Sequence, residues 1–179
     1  MKKENERSGN VSKYLAYPFL YDKSEDLKCD YEIFTDEISS TIGLLRSFVK
    51  DEALKIELSK INELVYHMNA SLRTFVSVTY DELKWLESRT LFYQDEIKGI
   101  IDKFALPQGG VCGSYAHIIR TKCKALVRLL HRHKENGNDV DELLFDFANL
   151  LSGYFFILAI KFNKDEGIQE TEFISRNYK

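Results

Sequence analysis

The sequence predicts an all-α, up-and-down bundle of five helices. Three observations carry that reading. Apolar residues recur at spacings of three and four along nearly the whole chain, no stretch alternates in the manner of a strand, and 179 residues contain only two prolines and nine glycines. Long elements joined by few turns follow. Hydrophobic residues make up 44% and aromatics 13%, which supports one well-packed core rather than a disordered chain.

Residues 1–25 lack a period and mix charge with Tyr14, Tyr17, Phe19 and Tyr21, so they form an irregular arm that packs by its aromatics. The bundle itself spans 26–164. Its first helix, about 26–49, carries Tyr31, Phe34, Ile38, Ile42, Leu45 and Val49 on one stripe. The second, about 52–77, carries Leu54, Leu58, Ile61, Val65, Met68, Leu72 and Phe75. Thr79 and Glu82 make a capping box for the third, which is expected to run to Phe104 and stop before Pro107. The fourth runs from Ser114 to about Lys134 and ends at Asn136-Gly137-Asn138. The fifth, about 139–163, is apolar nearly all round. Its longest strongly apolar run, Leu150 to Ile160, is shorter than the ~20 residues a bilayer requires, so it is expected at the centre of the bundle. Residues 165–179 are expected to be a loose polar tail.

Net charge is −3, which gives no global attraction for nucleic acid. Cys29, Cys112 and Cys123 are odd in number and widely spaced, so neither a disulfide framework nor a Cys/His metal set is expected. The charged N-terminus leads into no apolar run. The expected setting is the cytoplasm, with no membrane and no nucleic-acid partner.

Chemistry concentrates between Phe104 and Lys124. A glycine-rich turn, Gln108-Gly-Gly-Val-Cys-Gly113, feeds a helix on which His117, Arg120, Lys124, Arg128 and His131 step by three or four residues. A cationic face beyond such a turn suits an anionic ligand, although a solvated basic face has the same pattern. Cys112 in the turn could be reactive if exposed near Arg120 or His117, although a structurally indifferent thiol is the leading reading. Asn149 interrupts the most apolar helix, and a buried amide there would need a partner. Asp36 on the first helix could offset one cation of the stripe. Phe104 could show a flat apolar face to a planar ligand.

Taken together, these pieces resemble the PduO-type ATP:cob(I)alamin adenosyltransferases over about residues 30–164. Asp36-Glu-Ile-Ser-Ser40 before Ile42-Gly43 is similar to the family's D-E-L-N-S-x-x-G, and Phe104-Ala-Leu-Pro-Gln-Gly-Gly to F-x-L-P-G-G. His117-Ile-Ile-Arg120-Thr-Lys-Cys-Lys124 is similar to H-x-x-R-T-x-x-R-R, and Asn149-Leu-Leu-Ser152 to N-R-L-S-D. The resemblance implies a five-helix bundle that trimerises, with sites at subunit interfaces where Mg-ATP donates its 5′-deoxyadenosyl group to the cobalt of reduced cobalamin. It assigns Arg120 to the ATP phosphates and to a pair with Asp36 across the interface. Lys124 becomes a second phosphate cation, Asn149 an ATP contact, and Phe104 the wall under the corrin; His117 is counted with the ligand-binding residues, and no protein metal ligand is implied.

Departures from the family pattern are visible too. Nothing matches the N-terminal T-x-T-G-D-x-G loop, Ser8-Gly9-Asn10 being the nearest fragment. Val127 stands for a glutamate, Leu150 for an arginine, Gly153 for an aspartate and Lys124 for an arginine. These losses set out an alternative: a homologue that binds a corrinoid or nucleotide without catalysis, or a trimeric scaffold.

Overall fold

The structure is a computed structural model, which describes residues 13–14, 17–100 and 104–177. Five helices follow one another: α1 Lys28–Phe48, α2 Glu52–Met68, α3 Tyr80–Glu96, α4 Val111–Glu135 and α5 Glu142–Asp165. Helix α1 packs on α2 and α4, and α5 packs on α3 and α4. Tyr31, Ile38 and Ile42 of α1 meet Leu58 and Ile61 of α2, Ile119 of α4, and Phe147 and Phe155 of α5 in one continuous core. Helix α5 is apolar and long enough to cross a membrane by length and composition, yet 72% of its most apolar window is buried inside the protein, as expected of a central helix.

The helix starts follow local chemistry. Asp51 Oδ1 accepts from the Ala53 and Leu54 amides at α2, and Asp141 Oδ1 from the Leu143 amide at α5. The Thr79–Glu82 capping box forms at α3. Asn136 ends α4. Helix α4 begins at Val111, three residues earlier than the sequence suggested, with Gly110 as its N-cap.

Two helices end early, each for a tertiary reason. Helix α2 stops at Met68 and not near 77, because side chains beyond it bond to α1. Asn69 Nδ2 donates to the Glu32 carbonyl (2.6 Å) and to Thr35 Oγ1 (2.9 Å), while Arg73 forks onto the Glu32 carboxylate (2.6 and 2.9 Å). Phe75, expected in the core, is exposed. Helix α3 stops at Glu96, whose carbonyl accepts from Lys164 Nζ, and the chain turns at Gly99 with φ +79°. Phe104 therefore lies outside α3 in extended chain.

The same Arg73 holds the N-terminal arm. Its guanidinium sits 3.6 Å from the Phe19 ring centroid and 3.1 Å from Asp22, and the Tyr17 hydroxyl donates to Glu32 Oε2 at 2.8 Å. The C-terminal segment, expected to be loose, pairs with the Phe104 strand. The Leu106 amide donates to the Thr171 carbonyl (2.9 Å), and the Phe173 amide to the Phe104 carbonyl (2.7 Å).

Candidate functional site

One cavity of about 890 Å³ opens where α4, α5 and the paired segments meet. Phe104 and Ala105 line it from the loop before α4. His117, Arg120 and Lys124 line it from α4, and Ser152, Gly153 and Phe156 from α5. Phe173 and Ile174 close it from the C-terminal segment. The spacing 117–120–124 is one face of α4, and α5 presents Phe156 opposite that face. The cavity thus has an aromatic, apolar side and a cationic side.

Arg120 and Lys124 share the cavity with one carboxylate, that of Glu172. Arg120 is partly buried, its Nε has no hydrogen-bond partner, and its guanidinium carbon lies 5.7 Å from the Phe156 ring centroid. Burial lowers its pKa from the usual arginine value. Beside it, His117 is 5% exposed and neither ring nitrogen has a partner. Burial first, and then the Arg120 charge, push its pKa down to about 4, so the ring is neutral at pH 7 and each nitrogen can still donate or accept. Lys124 is exposed at the rim. Buried donors without acceptors are costly, and an anionic, acceptor-rich ligand would relieve that cost.

Known proteins share this fold. The cobalamin adenosyltransferase family model matches residues 34–162. The chain belongs to the cobalamin adenosyltransferase family. The corrinoid adenosyltransferase of Bacillus subtilis strain 168 is 29% identical over 147 residues, covering 77% of this chain and 75% of that protein. A solved structure of a variant PduO-type ATP:corrinoid adenosyltransferase from Lactobacillus reuteri, complexed with cobalamin and ATP, aligns with a TM-score of 0.76 at 24% identity, over 86% of each chain. Another variant of the Lactobacillus reuteri enzyme, complexed with ATP, aligns with a TM-score of 0.74 at 24% identity, over 83% of this chain and 88% of that one.

Of the six residues that the family resemblance singled out, the fold gathers four around the cavity: Phe104, His117, Arg120 and Lys124. The other two lie elsewhere. Asn149 is exposed and not buried; its Nδ2 donates to the Phe145 carbonyl at 2.9 Å, and it lines an adjoining groove between α3 and α5 that shares Gly153 with the cavity. Asp36 lies exposed on α1 and does not line the cavity, while its neighbour Glu37 pairs with Lys122. The structure also places Cys112 and the outer histidines. Cys112 is buried in the first turn of α4 with its pKa raised by burial, which makes it a poor nucleophile. His131 is exposed, and it is His133 that is buried.

Sequence reasoning missed Phe156, Phe173 and Ile174. Phe156 had a signal, because it falls one turn beyond Ser152 on the same face of α5. Phe173 and Ile174 had only their apolar character in a polar tail.

Proposed function

We propose that this protein transfers the 5′-deoxyadenosyl group of ATP to the cobalt of a reduced corrinoid, and that Arg120 and Phe104 mark the two halves of its site. The observation that carries this is the cavity's double character: an unpaired, partly buried arginine faces an aromatic wall. In the reaction the Co(I) electron pair forms the Co–C bond, the C5′–O bond breaks, and its pair leaves with triphosphate. Arg120, with Lys124 at the rim, suits the charge that builds on that leaving group; Mg²⁺ would arrive on the ATP phosphates. His117, neutral, offers a hydrogen bond without adding charge. Phe104 has 82% of its surface exposed, which fits a side chain that waits for a planar partner. The apolar wall keeps an axial ligand from the cobalt face it covers.

This reading places the complete site between subunits of a homotrimer. Support comes from the outer face of α1 and α4. Ile33, Glu37, Ser40, Leu44 and Phe48 form one stripe of α1, beside Val111, Tyr115, Ile118 and Lys122 of α4. The Glu37–Lys122 pair and a stacked Phe48–Tyr115 contact (5.6 Å between centroids) zip the stripes together. Ile33, Leu44, Phe48, Val111 and Ile118 stay exposed there, an apolar patch suited to a second copy. Asp36 lies one residue from Glu37, so a neighbour's Arg120 is its natural counter-charge across such a contact, and Asn149 would meet the nucleotide from the adjoining groove. Three free, buried cysteines fit a reducing cytoplasm.

The test is direct. ATP, Mg²⁺ and chemically reduced cob(I)alamin should yield the absorption spectrum of adenosylcobalamin, with one equivalent of triphosphate. A protein that binds cob(II)alamin in the four-coordinate form yet never yields that spectrum would overturn the catalytic reading.

A further inference from the structure

The Gly-rich turn, the end of α5 and the C-terminal segment converge on one side chain. Asn163, in the last turn of α5, is 1% exposed. Its Nδ2 donates to the Gln108 carbonyl (2.9 Å) and to Glu170 Oε1 (2.8 Å), and its Oδ1 accepts from the Gly110 amide (3.3 Å). Its own carbonyl accepts from the Ile168 amide at 2.8 Å. Both amide hydrogens and the amide oxygen are therefore spent on two segments that sequence separates by more than fifty residues. The turn is built around this group: a Cβ at Gly109, where φ is +151°, or at Gly113 would overlap the Asn163 carboxamide. Glycine is needed there because the amide occupies the space.

Asn163 lies outside the cavity, and what it joins continues into the cavity wall. From Gln108 the chain runs back four residues to Phe104; from Glu170 it runs on to Phe173 and Ile174. Between those ends the two strands are stitched by Leu106–Thr171 and Phe173–Phe104 backbone bonds and by Gln108 Nε2 donating to Thr171 Oγ1 (2.6 Å). Phe104 is almost wholly exposed, so packing does not fix where it stands. Its position depends on its backbone, and its backbone depends on the clasp.

We propose that Asn163 is a positioning residue: its carboxamide clasps the turn before α4 to the C-terminal segment and so sets Phe104 at the mouth of the cavity. The claim rests on the adenosyltransferase reading for its functional half, while the clasp itself can be tested without ligand. Asn163→Asp is nearly isosteric but replaces both donors with acceptors, which sets a carboxylate against Glu170 and the Gln108 carbonyl. Glu170→Ala, nearer the surface, removes one strand of the clasp in a chain that keeps all five helices.

Hydrogen exchange of the Leu106 and Phe173 amides should accelerate at least tenfold in both full-length variants, while core amides of α1 and α2 stay as in the parent. The KM for the corrinoid should rise about tenfold and the four-coordinate cob(II)alamin signal should fall, with the KM for ATP changed less than twofold. Asn163→Gln, longer by one methylene, should restore neither. Unaltered exchange at Leu106 and Phe173 in a folded variant would overturn the clasp. Accelerated exchange with the corrinoid KM and cob(II)alamin signal of the parent would overturn the positioning role. If the parent protein itself shows no corrinoid signal, the functional reading falls, and the exchange measurement alone then decides for or against the clasp.

Discussion

Two arginines in this bundle sit in similar surroundings and have opposite partners. Arg89 of α3 lies over the Phe92 and Tyr93 rings (4.4 and 5.2 Å from their centroids), and Arg120 of α4 lies over Phe156. Arg89 is answered inside the chain. Its Nε donates to Glu57 Oε2 at 2.7 Å, and Glu57 also accepts from the Tyr154 hydroxyl (2.7 Å) and the Tyr93 hydroxyl (3.3 Å). Burial pulls the Arg89 pKa down, but the bonds to Tyr93 and Glu57 outweigh that and leave it raised. Arg120 has only the burial, and its pKa is lowered. Arg89 carries its own counter-charge, as a structural arginine does; Arg120 does not, as the phosphate contact proposed for it requires.

The largest expected effect breaks the second half of that contrast. Arg120→Ala should lower kcat/KM by about 10²–10³-fold, the scale for deleting one charge-stabilising donor in a site, with the midpoint of urea unfolding unchanged or slightly raised. Loss of folding in place of activity would place Arg120 with Arg89 as a structural group. The reciprocal change is Glu57→Leu, which strands Arg89 and removes the acceptor of Tyr154. It should cost about 3 kcal/mol in equilibrium unfolding and leave the turnover of the folded fraction untouched.

A third change sharpens the contrast on the apolar side. Phe104→Ala removes an exposed ring, so stability should stay within about 0.5 kcal/mol. The corrinoid would lose an aromatic contact of about 1.5 kcal/mol, close to tenfold in turnover at fixed corrinoid. An equal loss of stability would show that Phe104 serves the fold.

The two regions were not equally legible in the sequence. The helix stripes, the Thr79 cap and the face shared by His117, Arg120 and Lys124 are local patterns, and a helix realises them wherever it packs. The clasp and the Glu57 network are made by side chains far apart in sequence, which periodicity cannot join. The early end of α2 shows the limit well. Leu72 and Phe75 continue the apolar stripe, but Asn69 and Arg73 find stronger partners on α1 than the next helical turn offers. Asn149 shows a signal overlooked: Glu142, Asp146, Asn149 and Gly153 fall at intervals of three and four, and that strip is the least buried side of α5. Phe104 was expected at the end of the third helix, and it lines the cavity from the segment after that helix instead. The wall role proposed for it needs an exposed ring, which the extended segment beside Thr171 supplies and a helix end packed on the core would not.

The smallest expected effect concerns His117, which shares Arg120's unpaired condition and reports it through pH. Its folded pKa is near 4 and its unfolded value near 6.5. Between those values the unfolded chain binds a proton that the native site refuses, so stability must fall as the medium is acidified from about pH 6.5 towards 4. His133, also lowered mainly by burial, adds to the same slope. His117→Gln keeps a neutral donor and acceptor but cannot titrate, so it should remove about 1 kcal/mol of the loss in unfolding free energy between pH 7 and about pH 5.7. Because Arg120 also depresses the His117 pKa, a bound triphosphate that screens Arg120 should raise it, and the acid-induced loss should shrink when ATP is present. A pH slope that is identical in the parent and in His117→Gln would mean that the ring takes up its proton in the native protein as readily as in the unfolded chain, and therefore that the pocket around Arg120 is wetter than its burial implies.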